Sequence, residues 1–332
     1  MDIKNSLIEY IKKKNIKEFG FKNVDNIAIQ ELPKGLWSFN FVVISDNKKV
    51  VFKIYTPNRE GFFINSGKKE FEVLDTISKI GIAPKPILFD DAKEILNYDI
   101  LAEEYLDGEQ LKDLNDENIK KVAQLLAKLH SVEIPQNSTI EKKDYRVETL
   151  FGISDFMIDS YSKKEFVDKK HLEEFKKILE KIKADLTPIP QFKEKDTIIH
   201  MDMVASNFLI LKNGEIKLVD WQSPGIGDPA FDVWGFTNKA FNLWDLDIFM
   251  DERKKKTFLA EYLKFRKDEN LLERIKYKKD LWILILTIHS LIQYQDFLAG
   301  KVDKNLMDRK DKFTRYKKAF ERGLEELKEL FL

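Results

Sequence analysis

The chain opens on apolar residues at near-helical intervals, Leu7, Ile8, Ile11 and Ile16, set among lysines and acids. That spacing predicts a short amphipathic helix within residues 1–20. The period then changes. Residues 26–32, 39–45 and 49–55 are rich in Val, Ile and Phe, with Pro33-Lys34-Gly35 and Asp46-Asn47 as turn signals between them. An antiparallel meander of three strands is expected. Residues 68–80 return to helical spacing and stop at Gly81, and residues 98–105 read as extended, so the order is strand, strand, strand, helix, strand.

From Asp116 onward helical periodicity dominates. Residues 119–130 (IKKVAQLLAKLH) are strongly amphipathic, and 155–185 and 252–330 hold further charged helices. One hairpin interrupts them: residues 208–211 and 216–219 are short apolar strands joined through Lys212-Asn213-Gly214-Glu215, where Asn-Gly tolerates positive φ. The expected class is α+β. A small antiparallel-sheet N-terminal lobe (residues 1–106, including the helix within 1–20) precedes a large, mostly helical C-terminal lobe (107–332), with Asp107-Gly108 as the hinge beside a cleft.

Composition narrows the partners. With 43% hydrophobic residues the chain can bury a substantial core, and 57 basic against 57 acidic residues leave no overall field for nucleic acid or anionic lipid. Neither nucleic acid nor membrane is an expected partner, and nothing in the pattern fixes an oligomeric state. There are no cysteines, which removes disulfides, thiolate nucleophiles and Cys-based zinc sites and fits a reducing, cytoplasmic location. Charged residues break every apolar stretch of the N-terminus, so no export signal is expected. The longest apolar run, residues 281–288, falls short of the roughly 20 residues that cross a bilayer and is read as a buried helix.

Candidate chemistry concentrates in residues 198–208, IIHMDMVASNF. A buried strand feeds a loop that presents His200, Asp202 and Asn207, and the following hairpin returns the chain so that Asp220 lies beside Asn207. Asn207 and Asp220 are two oxygen ligands of the kind that suits Mg2+, with water and phosphate oxygens completing its shell. Phosphoryl transfer needs positioning, charge neutralisation and a carboxylate near the attacking hydroxyl, and Asp202 is placed to be that carboxylate. His200 is assigned to holding the loop by hydrogen bonds. Taken singly, each residue also has an ordinary reading as a turn or cap.

Together, HxDxxxxN at 200–207, the hairpin, Asp220-Trp221 and GDPAFD at 227–232 resemble the aminoglycoside phosphotransferase and choline kinase superfamily, over about residues 22–240. The resemblance implies a two-lobed protein-kinase-like fold that uses ATP (or GTP) and Mg2+. The γ-phosphoryl group would move to a hydroxyl of a small molecule, an aminoglycoside, a choline-like compound or another metabolite. It implies that Lys53, in VVFKIY, contacts the α and β phosphates and pairs with a glutamate of the next helix. Glu70 shares a face with Val73, Leu74 and Ile77, whereas Glu72 shares one with Asp75, Thr76 and Lys79, so Glu70 is chosen. Backbone groups around Glu104 and Leu106 would face the adenine, Ser38 and Asn40 would supply contacts of a reduced phosphate loop, and Asp228 and Asp232 would tie down backbone and helix ends. His130 is read as a packed or capping residue.

Protein kinases carry a Gly-rich loop, Asp-Phe-Gly and Ala-Pro-Glu; this chain has Gly35, Asp220-Trp221-Gln222 and no Ala-Pro-Glu after it, which favours a small-molecule acceptor. Trp221, Trp234, Trp244 and Trp282 are either core or part of a cation-binding aromatic box. Asp155, Asp159 and Tyr161 either cover the acceptor or form a solvated face. Two other readings remain at this level: a catalytically silent nucleotide-binding module, and a metal-dependent hydrolase with His200, Asp202 and Asp220 as ligands.

Overall fold

A computed structural model of the chain describes residues 3–23, 26–32, 38–55, 66–189, 191–192, 195–242, 248–301 and 310–332. The Pro33-Lys34-Gly35 turn and Trp244 lie outside them. In chain order the first elements are α1 (Ile3–Lys13), β1 (Ile27–Glu31), β2 (Ser38–Ser45), β3 (Lys48–Tyr55), α2 (Ser66–Ile77), β4 (Pro86–Asp90), β5 (Asp99–Glu104) and β6 (Gly108–Gln110). Then come α3 (Asp116–Leu129), α4 (Val147–Ser162), α5 (Lys169–Asp185), β7 (Thr197–Ile199), β8 (Phe208–Leu211), β9 (Ile216–Leu218) and β10 (Gly225–Gly227). Five helices close the series: α6 (Ala230–Thr237), α7 (Lys239–Asn242), α8 (Glu252–Phe265), α9 (Leu271–Leu298) and α10 (Lys310–Phe331).

These elements form two compact units. The first contains Met1–Leu111, Asn137–Ile140 and Asn207–Pro224; the second contains Lys112–Gln136, Glu141–Ser206 and Gly225–Leu332. The first unit is built on an antiparallel sheet of order β1-β2-β3-β5-β4. Strand alternation gives the sheet two different faces. On one, Phe41, Val43, Val50, Phe52, Ile54, Ile100 and Ala102 close over Leu7, Tyr10 and Ile11 of α1 and over Phe19 and Phe21. The amphipathic helix read at the N-terminus is therefore the cover of the sheet, and its burial stabilises the unit at about 25 cal/mol per Å2 of apolar surface. Tyr10 donates to the Asp90 carboxylate at 2.8 Å and Lys14 pairs with it at 2.7 Å, fixing α1 to the end of β4. The other face carries Asn40, Lys53 and Leu101 in one cross-strand row and Val51 beside Glu103 in the next.

Three strands, β4, β6 and β10, were not expected. β4 begins at a proline and is half-buried throughout; an edge strand tolerates proline at its first residue, so no strong periodicity announces it. Gly108, expected as a hinge, belongs to β6, which pairs with β8 and makes the predicted hairpin three-stranded. A Cβ at Gly108 would come within 2.9 Å of the Ile210 carbonyl, so the close approach of these strands needs glycine. In the hairpin turn Gly214 has φ of 79° and Asn213 Oδ1 accepts from the Glu215 amide at 3.0 Å.

The second unit is organised around α9, whose Leu281, Trp282, Leu284, Ile288 and Leu291 are buried. Helices α4, α5, α6 and α10 pack on it, and α3 packs on α8. By length and composition α9 is long and apolar enough to cross a membrane; 56% of that apolar window is buried inside the protein. Asn115 caps α3 at its N-terminus by accepting from the Asn118 amide at 2.9 Å, and Asp168 caps α5 through the Lys170 and His171 amides, which is why the helical stretch expected over 155–185 is two helices.

Candidate active site

Within the first unit, Lys53 is brought to the polar face of the sheet by the same alternation that sends Phe52 and Ile54 into the core. Its ammonium group is almost wholly buried and pairs with Glu70 Oε1. Glu70 is fully buried on the inner face of α2, whereas Glu72 reaches outward to Lys68 at 3.9 Å, so the choice made from helical phase is the pair the structure forms. Both Glu70 oxygens are engaged: Oε2 accepts from the Tyr55 hydroxyl at 2.5 Å and Oε1 also accepts from the Trp221 amide at 3.0 Å. Glu70 thus links the lysine strand, α2 and the residue that follows Asp220.

A third carboxylate, unanticipated from sequence, enters this cluster. Glu103 Oε1 lies 3.3 Å from Lys53 Nζ. Burial opposes the charge on Lys53, but Glu103, Glu70 and Asp220 outweigh it and raise its pKa, so the lysine is a fixed cation. Burial pushes the Glu103 carboxyl up; Lys53 pulls it back, Glu70 and Asp220 push it further, and it comes to about 7.

The hairpin sets the other two residues of the first unit. The Val219 amide donates to the Asn207 carbonyl at 2.9 Å, which places Asn207 and Asp220 at the adjoining ends of the hairpin. Asp220 has φ of 66°, a left-handed conformation that a non-glycine residue holds only where its surroundings enforce it. Ser38 is buried, donating to Asn40 Oδ1 at 2.9 Å and accepting from Gln222 Nε2 at 3.0 Å. It therefore braces the residue two past Asp220 and stands on the Lys53 face rather than at an open loop tip. The Glu104 amide donates to the Lys85 carbonyl at 2.9 Å, while among the described residues the Leu106 amide has no partner.

In the second unit, β7 pairs with β10 and delivers the chain to His200-Met201-Asp202. Asp232, in the first turn of α6, accepts from the His200 amide at 2.7 Å and the Met201 amide at 2.9 Å. His200 Nδ1 accepts from the Asp202 amide at 3.2 Å, so its ring holds the loop, as the sequence suggested. Met201 has φ of 69°, and these bonds hold that strained residue. Asp232 is steadied in turn by His130 Nε2 at 3.2 Å, and His130 Nδ1 lies 2.8 Å from the Tyr262 hydroxyl. His130 is both a buried packing residue and the C-cap of α3; burial lowers its pKa against the pull of Asp232.

Asp228 anchors the same segment from beneath. Its carboxylate meets Arg274 at 3.0 Å and Lys278 at 2.9 Å, all three side chains being essentially inaccessible. Burial alone would raise its pKa, but Lys278 and Arg274 hold it below the usual carboxylate range. Removing one member of such a cluster leaves unpaired buried charge, so Asp228→Ala is expected to cost about 3–5 kcal/mol in urea unfolding. Because its folded pKa is depressed, Asp228 contributes stability at neutral pH that is lost as the pH falls, and the variant should show a shallower acid limb.

Of the remaining sequence candidates, the described tryptophans and Tyr161 are buried and the two aspartates are exposed. Trp221 is fully buried, with its indole N–H donating to the Leu218 carbonyl at 3.0 Å. Trp234 and Trp282 pack on each other at 5.2 Å and are buried. Asp155 pairs with Lys183, Asp159 pairs with Lys163, and Tyr161 is buried.

Among the described residues no group of three or more His, Asp or Glu side chains is disposed to hold a metal ion. The donor chemistry at the hairpin, one amide oxygen and one carboxylate, fits Mg2+, which retains water and phosphate ligands.

The fold is that of the small-molecule kinases. A choline kinase from Cryptosporidium parvum Iowa II has a TM-score of 0.67 at 18% identity, covering 98% of this chain and 96% of its own. A Plasmodium vivax ethanolamine kinase gives 0.65 at 17%, over 95% and 85%. A spectinomycin phosphotransferase, solved with ADP and spectinomycin, gives 0.64 at 16%, over 97% and 96%. At such identities the likeness establishes the fold. Residues 28–267 match the model of the phosphotransferase enzyme family, and the chain belongs to that family. It is an ATP-dependent small-molecule phosphotransferase.

Proposed function

We propose that the first unit, through residue 106 and the returning hairpin, binds Mg-ATP, and that the loop of the second unit orients the acceptor. Lys53 contacts the α and β phosphates, held by Glu70. Asn40, on the same face and braced by Ser38, contacts phosphate oxygens, and the Glu104 carbonyl and Leu106 amide meet the base. Asn207 and Asp220 would hold Mg2+, which when bound neutralises phosphate charge. Asp202 accepts the proton of the acceptor hydroxyl as that oxygen bonds to the γ-phosphorus; the bond from this phosphorus to the β–γ bridging oxygen breaks, and ADP leaves. His200 and Asp232 position Asp202. The absence of cysteine supports a cytoplasmic setting.

The observation that carries this proposal is the buried Lys53–Glu70 pair whose carboxylate also receives the amide next to Asp220. The test is an ATP-consumption assay with Mg2+ across aminoglycosides, choline, ethanolamine, sugars and amino-alcohols. Acceptor-dependent ADP release with a phosphorylated acceptor in the mass spectrum is expected; no turnover with any of them, and no nucleotide-dependent rise in Tm, would count against it.

A further inference from the structure

Glu103 stands apart from the other acids of the Lys53 cluster. Glu70 has a partner for each oxygen, but Glu103 spends only Oε1, on Lys53. Its Oε2 is buried and without a hydrogen-bond partner, and only 3% of the residue is exposed. A buried carboxylate oxygen with nothing to accept from is costly, so such a group points to a donor that arrives with a ligand. The cluster itself leaves the position open: Lys53 is shared, and the other neighbours acting on Glu103, namely Glu70 and Asp220, are acids that repel it.

The sheet register locates that donor. On β5, Leu101 is opposite Lys53, Glu103 is one cross-strand row further along, and Leu106 follows where the strand has ended. A nucleotide held at its phosphates by Lys53 and at a ring nitrogen by the Leu106 amide must pass Glu103 on the way. Adenine carries an exocyclic amine beside the ring nitrogen that accepts a hydrogen bond; guanine carries a carbonyl oxygen at that position. The amine donates to a carboxylate, whereas the carbonyl oxygen faces it with lone pairs.

We propose that Glu103 is the residue that selects a purine with an amine at its 6-position, and so ATP over GTP, by accepting a hydrogen bond from that amine on its unpartnered oxygen, an assignment that rests on the nucleotide site proposed above. Discrimination of this kind is strong because the wrong base leaves a buried polar group unpaired.

The experiment measures kcat/KM for ATP and for GTP on the parent, Glu103→Gln and Glu103→Leu at pH 8.5, where a carboxyl titrating near 7 is ionised. ATP and GTP share one triphosphate, so any effect exerted through Lys53 cancels in their ratio. The parent is expected to prefer ATP. Glutamine, whose amide can donate to the guanine oxygen, should narrow the ratio about tenfold or more, and leucine should also narrow it, by the loss of one charge-assisted hydrogen bond. A ratio unchanged in both variants would overturn the proposal and leave Glu103 as a tether for Lys53 alone. Should neither variant fold, the parent decides: purine riboside triphosphate, which lacks the amine, must be the poorer substrate, and equal use of it and ATP overturns the assignment. A parent that binds neither ATP nor GTP overturns the nucleotide site and this inference together.

Discussion

Asp202→Asn should lower kcat by about a hundredfold to ten-thousandfold, the range set by loss of a positioned proton acceptor, while the apparent affinity for ATP stays near that of the parent. The asparagine keeps the size of the side chain and leaves three bonds that run through backbone amides in place: His200 and Met201 to Asp232, and Asp202 to the His200 ring. A structural role for Asp202 would therefore leave kcat nearly unchanged, and that result would remove the assignment. Nucleotide titration by thermal shift, alongside steady-state kinetics with the best acceptor, separates the two outcomes.

The contrast between Asp202 and its neighbours shows what the sequence made legible. Motif spacing alone brought out Asp202, Asn207 and Asp220, because a hairpin of that length must bring its ends together. Helical phase alone separated Glu70 from Glu72, since a carboxylate among Val73, Leu74 and Ile77 is forced inward. Both depend on short-range geometry. The three-strand meander, the helix ending at Gly81 and the Asn-Gly turn were legible for the same reason.

What escaped was set by contacts between segments far apart in the chain. Tyr55 completes Glu70 from the last residue of β3, where it looks like one more aromatic strand residue. Glu103 lies in a strand that alternates poorly, two acids side by side, and nothing in ILAEEYL says which of them turns toward Lys53; sheet register decides it. Arg274 and Lys278 are charged residues of a helix whose apolar positions dominate, and only the fold delivers Asp228 to them. Strand β4 is short and begins at proline, so its edge position is fixed by pairing with β5 rather than by its own pattern.

Lys53→Met should reduce kcat/KM by about a hundredfold to a thousandfold, the effect of removing one preorganised charge from developing phosphate charge, and should also destabilise the protein. The second effect follows from what surrounds the ammonium. Glu70 and Glu103 lose their only shared cation, and a buried carboxylate without its partner costs several kcal/mol. A loss of activity in this variant is therefore ambiguous by itself, since it could come from partial unfolding. The double variant Lys53→Met with Glu70→Gln resolves it: glutamine still accepts from the Trp221 amide or pairs with the Tyr55 hydroxyl, so the unfolding midpoint should recover part of the loss. Activity should not recover, because no cation faces the phosphates. If stability and activity returned together, Lys53 would be a brace for the fold of the first unit and the phosphate contact would have to come from another residue.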